Sequence, residues 1–132
     1  MSRIIEAKGE RLAVYIPSSW EKGLHFFSEE KDFLQVGTWR YEEGVKLQSH
    51  IHREVKREIT KTQEIVFIRS GKMAATIFDE EGRFVERIEL KSGDALILLS
   101  GGHGYEILED DTRILEVKTG PFLGVEVDKK SI

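Results

Sequence analysis

The chain has 132 residues, 39% hydrophobic and 33% charged, with a formal net charge of −4. That is the length of one domain, residues 1–132, with no room for a separate cofactor-binding module, and its charge gives no pull toward nucleic acid or an anionic membrane. The absence of cysteine excludes thiolate metal sites and disulfides, and the charges within Met1–Glu10 and the lack of a long apolar run predict a cytoplasmic protein without membrane contact.

Short alternating runs and turn signals recur, and helical periodicity is almost absent. Leu12–Ile16 reads as a first strand closed by Pro17-Ser18-Ser19, and Leu24–Phe27 as a short second one before the charged turn Ser28–Asp32. Phe33–Tyr41 is rich in strand-favouring types and ends at Glu42-Glu43-Gly44. Val45–His52 follows as a strand bearing two histidines, whereas Arg53–Gln63 looks like neither strand nor tight turn. Glu64–Arg69 and Lys72–Phe78 read as a hairpin about Ser70-Gly71, and Asp79–Gly82 turns into a strand at Phe84–Leu90. The turn Lys91–Asp94 leads into Ala95–Leu99, an apolar run suited to a strand buried on both faces. Gly104–Leu108 and Arg113–Thr119 complete a set of about ten short strands, which predicts an all-β sandwich or barrel.

Three of the four histidines carry the functional clue. His50 and His52 lie two apart, so on a strand both rings project to one face and can meet at a single ion. His103 sits in the turn Gly101-Gly102-His103-Gly104. The stretch from Gly44 through His50-Ile51-His52, and then Glu64 to Gly71, resembles the first signature of the cupins: glycine, five residues, His-x-His, a gap, glutamate, six residues, glycine. Gly93-Asp94 through His103 resembles the second. Eleven residues separate His52 from Glu64, where the family has three or four; Leu99 replaces a proline, the interval from Gly101 to His103 is one residue short, and Glu106 stands in place of a later asparagine. Gly101 and Gly102 offer a repair, because they can adopt backbone angles closed to other residues and so tighten the turn. The likeness spans residues 34–119.

The resemblance implies a cupin-type jelly-roll β-barrel of about ten short antiparallel strands, in which His50, His52, Glu64 and His103 hold one divalent first-row transition metal. Three imidazoles and a carboxylate suit Fe, Mn, Ni, Co, Cu or Zn, and leave positions open for water, a bidentate oxygen ligand or dioxygen. Glu64 reads either as a direct ligand or as an acceptor that orients an imidazole N–H. Alternation puts Gln48 on the face of the histidine pair and Tyr105 on that of His103. Both are expected to contact a substrate, Tyr105 also as a weak catalytic acid, or else as a packed aromatic. Arg57, within the cluster Arg53, Lys56, Arg57 and Lys61, binds an anionic substrate group or belongs to a solvated loop balanced by Glu54 and Glu58. His25 reads as a core-edge or surface residue.

The function implied by the resemblance is that of a metal-dependent enzyme on a small oxygen-rich metabolite, dioxygenase-like or sugar isomerase/epimerase-like. The alternatives are a non-catalytic sugar or metabolite-binding module, and an epimerase using a histidine base without metal. Exposed strands at the ends of such a barrel are expected to be covered in a homodimer.

Overall fold

Ten strands and one turn of helix succeed one another along residues 1–132, all of which the computed structural model describes: β1 (Arg3–Ala7), β2 (Glu10–Ile16), β3 (Gly23–Phe26), β4 (Gly37–Arg40), β5 (Glu64–Ser70), β6 (Lys72–Phe78), β7 (Phe84–Lys91), β8 (Ala95–Leu98), β9 (Gly102–Ile107), β10 (Arg113–Lys118) and α1 (Val125–Asp128). Strands hold 44% of the residues and helix 3%, so the protein is all-β. All pairings are antiparallel, in a five-stranded sheet ordered β1-β2-β8-β5-β10, a three-stranded sheet ordered β7-β6-β9 and the pair β3-β4.

Two apolar layers account for this arrangement. Leu96 and Leu98 of β8, Val66 and Ile68 of β5, and Met73, Ala75 and Ile77 of β6 share one core between the two large sheets. Ala95, Ile97 and Leu99, with Val14 and Ile16 of β2, face the other way, against Trp20, Phe27 and Val36 of the segment joining β2 to β5. Thus β8 is buried on both faces, as its unbroken apolar run predicts. A bulge at Leu12, which has no partner between the pairs Ile5–Ala13 and Glu6–Arg11, turns both Leu12 and Ala13 into the inner core.

Three expectations need correction. Residues 70–71 do not close a hairpin: β5 belongs to the five-stranded sheet and β6 to the three-stranded one, so the chain crosses between sheets there. Gly71 makes the corner with a positive φ of 91°, packed so closely on Thr112 that a side chain would collide with it. Val45–His52 forms no strand, because residues 46–62 make no backbone hydrogen bond with any other part of the chain. An additional strand, β1, precedes the first one expected.

The sandwich has two different sides. On one, β1 and β7 approach each other and Arg3 bonds the Glu86 carboxylate through both terminal nitrogens. On the other, β9 and β10 are the terminal strands of their sheets, and each has a single hydrogen-bonded neighbour.

Candidate functional site

The open side carries the ionisable cluster. In β9, His103, Tyr105 and Ile107 pair with Ile77, Ala75 and Met73, which point into the inner core. Register therefore turns these β9 side chains inward too. Yet Tyr105 is 40% and Ile107 55% exposed, against 0% for Ile77 and 1% for Met73. The same logic applies to β10, where Ile114, Glu116 and Lys118 pair with Ile68, Val66 and Glu64. Inward-facing groups of both strands thus line a mouth open to water.

Glu64, the first residue of β5, is 7% exposed at the floor of that mouth. A buried carboxylate is tolerated only when paired. Its Oε1 lies 2.6 Å from His103 Nε2 and accepts a longer hydrogen bond, 3.4 Å, from the Tyr105 hydroxyl. The His103 and Tyr105 rings are stacked at a tilt, 5.2 Å between centroids. Burial pushes the Glu64 carboxyl up, but hydrogen bonds from His103 and Glu116, helped by the charge of Lys118, outweigh it and bring the pKa down to about 2. Glu116 moves the opposite way, raised chiefly by its hydrogen bond to Glu64, so any shared proton sits on Glu116. Burial, reinforced by the Glu64 and Glu116 charges, raises the Tyr105 phenol and keeps it a proton donor.

The remaining expected residues lie in the segment 41–63. His50 Nδ1 is 3.0 Å from the Gln48 carbonyl oxygen and so donates to it, which leaves the His50 Nε2 lone pair directed at His52 Nε2, 3.2 Å away. Two nitrogens on one first-row cation, each bonded at about 2.0–2.1 Å, stand about 3.0–3.4 Å apart, so this pair has the spacing of two ligands. Glu64 and His103 stand closer, 2.6 Å apart, in direct hydrogen-bond contact rather than at the spacing of two ligands. No three histidine or acidic side chains are grouped so that they could hold a metal ion, and the structure brings the four expected ligands together two by two. The Gln48 side chain bonds only the neighbouring Ser49 carbonyl. Arg57 borders a separate cleft of about 450 Å³ with Glu30, Phe33 and Gln35. Compared with models of known families, with curated proteins and with solved structures, the chain matches none.

Two polar residues beside Glu64 escaped the sequence reading. Nothing in the run Arg113–Thr119 singles out Glu116, and only its register opposite Val66 brings it to Glu64. Gln63, 6% exposed, accepts from the Phe33 and Leu34 amides at 2.8 and 3.0 Å and donates to the Leu99 carbonyl at 3.3 Å. It fastens the outer layer immediately beside Glu64.

Proposed function

We propose that the protein is a metal-binding barrel of cupin type acting on a small oxygen-rich metabolite, with the mouth between β9 and β10 as its active site. The observation that carries this is the buried Glu64 carboxylate held 2.6 Å from His103 on the inward face of the open side. The ligand-like spacing of His50 and His52 adds to it. His50, His52, Glu64 and His103 would hold the ion, which would polarise a carbonyl or bind oxygen beside the substrate. Tyr105, kept protonated, would donate a hydrogen bond to a substrate oxygen, and Met73, Ala75 and Ile77 would keep bulk water from the floor. The two large sheets are the halves of a jelly roll in this reading. A second copy would cover the exposed β10 residues Leu115 and Val117, and the protein would work inside the cell.

Metal analysis of protein purified without a histidine tag tests the proposal. About one equivalent is expected, lost in His50→Ala and in His103→Ala. Substoichiometric metal that neither substitution alters would remove it.

A metal-free site is the second reading, favoured by the Glu64–His103 contact being complete without a third ligand. Glu64 would then orient the imidazole as a base for an epimerase-type proton transfer. Turnover that survives chelation would select this reading.

A further inference from the structure

Residues 119–132 run from beside Glu64 to the lip of the mouth formed by β9. The Thr119 amide donates to the Gln63 carbonyl at 3.0 Å and its hydroxyl accepts from the Gln63 amide at 3.2 Å, so the segment starts firmly attached. Beyond Thr119 the only backbone hydrogen bonds are internal ones around α1. Side chains alone hold it to the body. Lys118 Nζ, turned inward like its strand partner Glu64, lies over the Phe122 ring, 5.9 Å from the centroid. Lys129 comes near enough to Glu116 for its charge to act on that carboxyl. Ile132 packs over Gly102, with Gly82 beside it. Gly102 alternates with the inward His103 and so belongs to the outer face of β9, which means that the segment passes round the free edge of that strand. Glycine makes the seat, because a side chain there would collide with Ile132. The seat is a weak one: Ile132 is 68% exposed, and Phe122, Leu123, Val125 and Val127 are all exposed as well.

We propose that residues 120–132 are a lid on the mouth, hinged at Gly120 next to the anchored Thr119 and latched by Ile132 on Gly102, which opens to admit a ligand to Glu64, His103 and Tyr105 and shuts behind it. It rests on the mouth being the working site, whether or not a metal is bound there. A fixed wall is joined to its sheets by ladders of hydrogen bonds and by buried apolar groups. This segment has one firm attachment and one weak, reversible contact, and segments with so few ties open locally at little cost. Gly120 and Gly124, the latter at a positive φ of 108°, give the backbone the freedom that a hinge needs. Position decides what the lid covers. Phe122 and Lys129 meet the inward Lys118 and Glu116 of β10, and Ile132 sits one residue from His103, so it spans the end of the mouth that holds Glu64 and leaves the end at Ile107 open.

Hydroxyl-radical footprinting of the full chain tests this, with Tyr105 as the reporter and Tyr15 on β2 as the reference. The readout involves no metal, so this experiment and the metal analysis can fail independently. Ile132→Ser removes the latch from one side and Gly102→Ala from the other, since the added methyl displaces the tip of the isoleucine. Tyr105 is 40% exposed with the lid shut, so oxidation about twofold faster is expected in both variants, with Tyr15 and the thermal unfolding temperature unchanged. An unchanged Tyr105 in either variant would overturn the lid. So would a rise at Tyr15 in step with Tyr105, or a fall of several degrees in unfolding temperature, because either would make the segment part of the fixed fold.

Discussion

The β1–β7 side and the β9–β10 side of the sandwich are built from the same alternation but end differently. Where β1 meets β7, inward residues such as Ile5 and Leu90 are sealed, and the edge strands are tied by an arginine–carboxylate pair. Where β9 faces β10, inward positions hold His103, Tyr105, Glu116 and Lys118, and Ile107 lies half exposed among them. A closed edge can be wholly apolar. An open one keeps charges hydrated while still presenting them to a shaped recess, which is what a binding site requires.

The largest contrast should come from truncating one inward aliphatic on each side. Leu90→Ala is expected to cost about 2–5 kcal/mol in urea unfolding, from lost burial and the cavity left behind, and Ile107→Ala less than about 1.5 kcal/mol, because water already reaches it. Similar costs would mean that the mouth is sealed in solution. Glu64→Gln should destabilise by about 1–3 kcal/mol at neutral pH, through loss of the charged partner of His103. With a folded pKa near 2 against an ordinary 4.5, the carboxylate's contribution is fully present above about pH 4.5 and fades as the pH falls toward 2. Wild type and variant should therefore converge in acid, and a gap independent of pH would exclude the pairing. Arg3→Ala should cost under about 1 kcal/mol, less still in high salt, because its ion pair with Glu86 lies exposed.

Much of the fold was legible because burial leaves an imprint on sequence. The all-apolar Ala95–Leu98 announces a central strand, and Asp79–Gly82 announces the β6–β7 turn, where Asp79 Oδ1 accepts from the Glu81 and Arg83 amides. The assignment of strands to sheets was not legible. Ser70-Gly71 has the composition of a hairpin turn, and only the long-range pairing of Ser70 and Ile68 with Arg113 and Ile114 of β10, and the bond from the Ile68 amide to the Asp94 carbonyl before β8, show that the chain changes sheet. The site divides in the same way. His103 and Tyr105 were placed together correctly by strand period, because β9 forms and pairs. Alternation alone predicted a strand at Val45–His52, but a strand needs a neighbour as well as a pattern, and this segment has none in the structure. Glu116 could not be found from sequence at all, since its partner lies on a strand distant along the chain.

Gln63 and Glu64 are consecutive, and their side chains serve opposite layers: the amide holds Phe33 and Leu34 against one face of the sheet, the carboxylate holds His103 on the other. Any ligand that pulls on the carboxylate therefore tugs a rivet passing through the wall. Trp20, packed in the outer layer, stands where its fluorescence would register the strain.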